Sequence, residues 1–112
     1  MLYHVTPSKN VKSILTVGLE PRIGKASKKN DEKQLCVYLF TSLEWVKEGI
    51  ETWLGEVYWN EDLSVLSINA TAEELGGEVN SGEVLVNRLI PSAYIKELYP
   101  PEEVDDALGI EY

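Results

Sequence analysis

The segment Leu35–Phe40, with the sequence LCVYLF, is a continuous apolar run rich in residues that favour β-structure. A short run of this kind, bounded by polar sequence, is typical of a buried strand. The stretch before it, Gly24–Gln34, has almost no apolar side chains and is expected to form a loop. We therefore expect one buried strand here, and the patterns on either side decide what kind of sheet it joins.

The chain around this strand contains two helical patterns and an N-terminal strand. Leu2–Val5 is a strand candidate, and the apolar residues within 10–17 have a helical spacing that ends at Gly18. After the buried strand, a second helix is expected to begin at Ser42, which can cap it, and to end at Gly55. The first half is thus predicted as strand, helix, loop, strand and helix.

The remainder of the chain is predicted to consist mainly of strands. Thr71–Leu75 is a short helical stretch halted by two glycines. The predicted strands are Glu56–Trp59, Leu63–Ile68, Glu83–Leu89 and Ala93–Leu98, of which the last is also compatible with a short helix. This order differs from the regular strand–helix alternation of a doubly wound sheet, and it predicts an α+β domain.

The length of the chain, 112 residues, suits one domain with one modest core. We place this domain at residues 1–99. Pro100 and Pro101 then begin an acidic tail, residues 100–112, which is either loosely held or a surface for a partner.

The net charge is −9, from 19 acidic and 10 basic residues. A protein that binds duplex nucleic acid normally presents a basic face, because phosphate neutralisation supplies most of its affinity. The acid excess argues against that class and leaves a protein partner for the acidic surface open. Basic residues do cluster between Arg22 and Lys33, which is either a local cationic loop or an ordinary solvated one.

Cys36 is the only cysteine, so an intramolecular disulfide is impossible and a reducing, cytoplasmic environment is expected. One histidine and one cysteine cannot make the usual Cys/His zinc site, so no metal is expected. No apolar run approaches the roughly 20 residues that span a membrane. The N-terminus also lacks the pattern of a signal peptide.

Three short segments together resemble a known family. They are LYHVT at Leu2–Thr6 with its following helix and Gly18-Leu19, VYLFTS at Val37–Ser42, and SGEVLV at Ser81–Val86, which leads to IPSAYI at Ile90–Ile95. Their order and spacing resemble the ADP-ribosyltransferase superfamily, specifically the diphtheria-toxin-like branch with a His–Tyr–Glu triad. The opening segment is also similar to tRNA 2′-phosphotransferases and to toxins that ADP-ribosylate DNA. The resemblance covers roughly residues 2–98.

This resemblance implies a fold and an activity. The fold would be two small packed sheets, antiparallel or mixed, with flanking helices. The activity would be NAD⁺-dependent mono-ADP-ribosyl transfer, which cleaves the nicotinamide–ribose bond and passes ADP-ribose to a macromolecular acceptor or to water. Two alternatives stay open: a non-catalytic module on the same scaffold that binds a nucleotide or a protein, and an unrelated small α+β protein that regulates a partner through charge.

The resemblance also implies roles for individual residues. His4 would bind sugar hydroxyls of NAD⁺, Tyr38 would stack on nicotinamide, and Glu83 would stabilise the cationic transition state. The other residues expected to contact NAD⁺ are Thr6, Ser42 and Arg22. These roles suit the chemistry, because a neutral imidazole both donates and accepts, an aromatic ring holds a flat leaving group, and a carboxylate favours developing positive charge.

Other positions argue against two of the reactions that occur in this superfamily. The phosphotransferase branch has a histidine in the middle motif and several arginines, whereas this chain has Tyr38 and only Arg22 and Arg88. Transferases that modify arginine often carry a second acid two residues before the catalytic glutamate, and here that residue is Ser81. The departures argue against both reactions.

Each candidate also has a purely structural interpretation. His4 could be a packed strand residue, Tyr38 a core tyrosine, and Glu83 one exposed acid among many, with Glu78 as its nearest competitor. Trp45 and Trp53 are expected to pack on the sheet from one side of a helix, and one of them could form a second wall beside nicotinamide. Cys36 has no histidine nearby in sequence, so a catalytic thiol is not expected.

Overall fold

The computed structural model describes residues 1–21 and 36–110, which form six strands, four α-helices and two short 3₁₀ helices. The strands are β1 Leu2–Pro7, β2 Val37–Phe40, β3 Leu63–Ile68, β4 Glu78–Asn80, β5 Glu83–Val86 and β6 Ile95–Tyr99. The α-helices are α1 Val11–Val17, α2 Leu43–Glu51, α3 Trp53–Val57 and α4 Pro101–Leu108, and the 3₁₀ helices are Ser8–Asn10 and Ser92–Tyr94. Arg22 and the predicted loop Gly24–Gln34 lie outside the described residues.

The strands form one antiparallel sheet in the order β4-β5-β2-β1-β3-β6. β1 pairs with β3 over its whole length, from Leu2 opposite Ile68 to Pro7 opposite Leu63. On its other side, β1 pairs with β2, which in turn pairs with β5. The domain is therefore α+β, as expected. The two packed sheets that were also expected are not found within residues 1–21 and 36–110, because β1 is paired along both edges.

The sheet carries a hydrophobic core on each face. Alternate residues of a strand project to opposite faces, so Leu2 belongs to the first core and Val5 to the second. Helix α1 packs on the first core, whereas α2, α3 and α4 pack on the second. β2 lies between the two layers, with Leu39 in the first core and Phe40 in the second, both buried. This arrangement explains why the β2 sequence is continuously apolar rather than alternating.

The predicted second helix is two helices. Ser42 caps α2 as expected, and its Oγ accepts a hydrogen bond from the Trp45 main-chain N–H at 3.2 Å. The chain bends at Thr52, and Gly55 lies inside α3 instead of ending the first helix. The predicted strand Glu56–Trp59 is also wrong, because residues up to Val57 are helical. Leu54 and Val57 are three positions apart and both buried, which is a helical spacing.

The segment that leads to β5 follows the prediction only in part, because residues 72–76 form a turn that is not extended into a helix and the short strand β4 was not predicted. Thr71 and Glu74 form a reciprocal capping box: the Thr71 N–H donates to Glu74 Oε1 at 2.9 Å, and the Glu74 N–H donates to Thr71 Oγ1 at 3.1 Å. These bonds lower the pKa of the Glu74 carboxyl. β5 ends at Val86 rather than at Leu89. Ile90, four residues further on, forms an isolated bridge with Leu19, which follows α1.

Most of the expected acidic tail is folded. Pro101 occupies the first turn of α4, where its missing N–H costs no hydrogen bond, and Gly109 ends the helix at φ 69°. Val104 and Ile110 are buried in the second core. The described part of the tail thus packs against the sheet. Across residues 1–21 and 36–110, no helix has the length and apolar character that crossing a membrane requires.

Candidate active site

The candidate site lies where β1 and β2 separate. Their ladder consists of Tyr3 opposite Phe40, in contrast to the full-length ladder between β1 and β3. Next to this pair, the His4 side chain reaches into the gap, and its Nδ1 atom lies 2.7 Å from the Tyr38 main-chain oxygen. A side chain therefore bridges the two strands where their main chains part.

The bond between His4 and Tyr38 fixes the chemical state of the imidazole. A carbonyl oxygen can only accept, so Nδ1 of His4 carries the proton and donates it. Burial lowers the pKa of His4 below its ordinary value of 6.5, and the hydrogen bond to Tyr38 opposes that shift without reversing it. The ring is therefore neutral at neutral pH, and its Nε2 atom is a hydrogen-bond acceptor.

The gap opens into a cavity of about 310 Å³ bounded by β1, α1, β2 and α3. His4, Thr6 and Tyr38, three of the residues singled out from the sequence, line it together. Thr6 is buried, and its Oγ1 lies 3.4 Å from the Pro7 main-chain oxygen. The volume is at the lower end of the range for small-molecule sites.

Two aromatic rings form one side of this cavity. Tyr38 and Trp53 both line it, with ring centroids 6.0 Å apart and ring planes at 62°. This edge-to-face geometry is favourable for an aromatic pair and adds about 0.5–1.5 kcal/mol beyond the area buried. Trp53 follows the bend between α2 and α3, so the break in the predicted helix delivers this ring to the site.

Glu83 lies on the strand next to Tyr38 but in an adjoining cavity. It is opposite Phe40 in the β2–β5 ladder, so it projects to the same face of the sheet as Phe40 and Tyr38. It lines a smaller cavity of about 160 Å³, and Phe40 and Trp53 line both cavities. His4 is adjacent to Tyr3 on β1, so it lies on the opposite face of the sheet from Tyr38 and Glu83. Its imidazole turns into the gap between β1 and β2, where Nδ1 reaches the main-chain oxygen of Tyr38.

The β4–β5 turn presents Glu83. Asn80 is opposite Glu83, which leaves Ser81 and Gly82 as the two turn residues. Ser81 has φ 61°, in the left-handed region that favours glycine, and it is the only residue other than glycine with this conformation in the described chain. Gly82 lies against the indole of Trp45, whose ring atoms leave no room for a Cβ.

The other candidates from the sequence lie elsewhere. Ser42 serves as the N-cap of α2, and the described linings of both cavities do not include it. Glu78 is exposed on β4 and is likewise absent from both linings. Arg22 lies outside the described residues. Cys36 lines the larger cavity and is buried.

An ion pair at the larger cavity was not predicted from the sequence. Lys9 Nζ lies 2.6 Å from Glu61 Oε1, and both residues line the cavity. The pair follows from the β1–β3 register. Because Pro7 is opposite Leu63, the residues that follow Pro7 lie close to the residues that precede Leu63. The Ser8 N–H donates to the Asp62 main-chain oxygen there at 2.8 Å. Only the strand pairing reveals this contact, since the two residues are far apart in sequence.

Within the described residues, no three or more His, Cys, Asp or Glu side chains form a group that could hold a metal ion. Comparison of the chain with protein-family models, with curated proteins and with solved structures finds no match. The functional interpretation therefore depends on the geometry of the two cavities and on the chemistry of the residues that line them.

Proposed function

We propose that this protein is an NAD⁺-dependent mono-ADP-ribosyltransferase that cleaves the nicotinamide–ribose bond and transfers ADP-ribose to a macromolecular acceptor or to water. The observation that carries the proposal is the contact between His4 and Tyr38 across the gap between β1 and β2, inside a cavity of about 310 Å³. Glu83 on the neighbouring strand supplies a carboxylate on the Tyr38 side of the sheet.

His4 would bind a ribose hydroxyl through Nε2. The neutral ring has its only proton on Nδ1, which the Tyr38 carbonyl already holds. Nε2 is therefore restricted to accepting, and a sugar hydroxyl is a suitable donor. Because the ring is locked from its other nitrogen, this acceptor is oriented before the ligand arrives, which reduces the entropy lost on binding.

Tyr38 and Trp53 would hold the nicotinamide ring. Flat aromatic ligands gain from stacked or edge-to-face contact, and the two side chains present rings at 62° to one another. The two rings are already in edge-to-face contact at a centroid distance of 6.0 Å, so a ligand ring would pack against the side of this pair that faces the cavity. Phe40 and Trp53 border both cavities, so a ring held here would lie between His4 and Glu83.

Glu83 would stabilise the charge that develops on the sugar. When the bond between ribose C1′ and the nicotinamide nitrogen breaks, its electron pair leaves with nicotinamide and positive charge builds on the ribose. A fixed carboxylate lowers the energy of that state more than the energy of the ground state. An acceptor or water then forms the new bond at C1′ and loses a proton to solvent or to the carboxylate.

A second candidate is a nucleotide-binding module without catalysis. It is favoured by one observation: Glu83 lines the smaller cavity, whereas His4 and Thr6 line the larger one. If a dinucleotide occupied only the larger cavity, Glu83, which is the carboxylate predicted for catalysis, would not face its ribose.

Release of nicotinamide from NAD⁺ separates these functions. The wild-type protein should release nicotinamide, and Glu83→Gln should lower the rate by about 100-fold or more. Glu78→Gln is the matched control, since it removes the same charge from the adjacent strand outside both cavities, and it should retain the wild-type rate. Equal rates in the two variants would remove Glu83 from the mechanism.

Thermal stability in the presence of NAD⁺ identifies the second candidate. A ligand that saturates the folded state at about 100 times its Kd stabilises it by about 2.7 kcal/mol. A rise in Tm without nicotinamide release would assign the binding module. If neither signal appeared, both functions would be rejected.

A further inference from the structure

The smaller cavity beside Glu83 has a lining of unusual composition. It is bounded by three aromatic side chains, two carboxylates and little else: Phe40, Trp45, Trp53, Glu48 and Glu83, with Gly49 and Thr52. None of the described residues that line it carries a positive charge. Aromatic faces and carboxylates both attract cations, and the two together favour a cation that gives up its water readily.

The aromatic walls are held by glycines. A Cβ on Gly82 would overlap Cγ, Cδ2 and Cε2 of Trp45, so the indole face lies directly against the turn before Glu83. A Cβ on Gly49 would lie 3.2 Å from Cζ of Phe40, so this ring too is seated against a helix main chain. Rings fixed in this way lose little freedom when a ligand binds.

The two carboxylates come from different elements. Glu48 lies on α2 and Glu83 on β5, and both line the cavity. Glu48 is exposed, and its carboxylate takes part in no ion pair within residues 1–21 and 36–110. A cation in the cavity would thus be near two carboxylates as well as three aromatic rings.

We propose that this cavity binds a methylated ammonium group. Such a cation is weakly hydrated and has an apolar outer surface, so it suits aromatic walls better than a metal ion or a bare amine. The site shares Glu83 and Trp53 with the NAD⁺ chemistry proposed above, but it adds Glu48 and Trp45 and can be tested in the absence of NAD⁺, so it does not depend on that chemistry.

The test is a titration of the full chain with tetramethylammonium chloride in the absence of NAD⁺, followed by the NMR signals of the indole N–H groups. The three tryptophans provide an internal comparison. Signals of Trp45 and Trp53 should shift and saturate in the millimolar range, whereas Trp59, which is 79% exposed and lines neither described cavity, should stay in place. Sodium chloride at matched ionic strength and tert-butanol, a neutral molecule of similar size, should produce no saturating shift.

Two variants test the lining. Glu48→Gln should weaken binding about two- to fivefold, as expected for loss of one exposed charge partner, whereas Glu44→Gln on the same helix, outside the cavity, should leave it unchanged. Gly82→Ala should abolish saturation by displacing the indole. Equal shifts with tert-butanol, shifts that include Trp59, or equal affinity in Glu48→Gln and Glu44→Gln would overturn the proposal. Because Glu48 and Glu44 are exposed, these two variants should fold even if Gly82→Ala does not.

Discussion

His4 Nδ1 donates a hydrogen bond to the Tyr38 main-chain oxygen across 2.7 Å, at the point where β1 and β2 cease to pair. The imidazole thereby supplies a hydrogen-bond donor to a main-chain carbonyl next to the end of the β1–β2 ladder. The same bond commits the ring to one tautomer and leaves its other nitrogen to accept. A local defect in the sheet thus creates both a cavity and an oriented acceptor within it.

The state of His4 predicts how stability depends on pH. Its pKa in the folded protein is below the ordinary value of 6.5, so the unfolded chain binds the proton more readily. The contribution of neutral His4 to the free energy of unfolding is fully present above pH 6.5, and it is lost as the pH falls from 6.5 to the folded-state pKa. Within that window, each pH unit should lower the free energy of unfolding by up to about 1.4 kcal/mol.

His4→Asn provides the comparison, because an amide can still donate to the Tyr38 carbonyl but does not titrate. Urea unfolding of both proteins across this window should show a steeper decline for the wild type than for the variant. Parallel curves would mean that His4 has the same pKa in both states.

The contact between Gly82 and Trp45 predicts a coupled pair of substitutions. Gly82→Ala forces a methyl group into the indole and should lower the free energy of unfolding by about 1–3 kcal/mol. In a Trp45→Ala background the obstacle is gone, so the same change should cost much less. Urea unfolding of the four proteins measures the coupling. An identical cost in both backgrounds would place the origin of the effect in the main chain of the turn.

The conformation of Ser81 predicts a stabilising substitution. A residue other than glycine in the left-handed region costs about 1–2 kcal/mol, whereas glycine adds about 0.5–1 kcal/mol of chain entropy to the unfolded state. The first effect is larger, so Ser81→Gly should raise the free energy of unfolding by about 0.5 kcal/mol. Ser92→Gly, at a position in a 3₁₀ helix, is the control and should be neutral or destabilising. A loss of stability in Ser81→Gly would show that the serine side chain contributes more than its strain.

The sequence predicted β1, α1 and β3, although only α1 is buried with a regular period, at Val11 and Ile14. Gly18 with φ 93° ends α1 where expected. Val57 and Trp59 are apolar at alternate positions, which is a strand-like pattern, but the predicted strand at Glu56–Trp59 is wrong. In the structure Val57 is buried through its helical relation to Leu54, while Trp59 is exposed.

The site was predictable in part. The segments around His4 and Tyr38 drew attention to two residues that line one cavity, but nothing in either segment shows that a side chain bridges the strands. The contribution of Trp53 depends on the bend at Thr52, which has no glycine or proline to announce it. The position of Glu61 depends on strand register. Tertiary pairing of this kind leaves no local trace in a single sequence.

The ion pair between Lys9 and Glu61 predicts an asymmetry between its two partners. The side chain of Lys9 is 71% exposed and that of Glu61 is 17% exposed. Removing Glu61 returns an exposed lysine to water, so Glu61→Gln should cost about 0.5 kcal/mol or less. Removing Lys9 leaves a largely buried carboxylate without its partner, so Lys9→Met should cost more, on the order of 1 kcal/mol. Chemical denaturation at low and high salt gives both values, and a larger cost for Glu61→Gln would contradict the assigned burial.

The helix α4 predicts that the C-terminal acidic segment contributes to stability. Val104 is 4% exposed and packs in the second core, so Val104→Ala removes buried apolar volume and leaves a cavity there. We expect a loss of about 2 kcal/mol in the free energy of unfolding. Glu103→Ala, on the exposed face of the same helix, controls for helix propensity and charge, and it should change stability by no more than about 0.5 kcal/mol. If the two variants were equally stable, α4 would be a loosely held tail in solution and the second core would end at the sheet, α2 and α3.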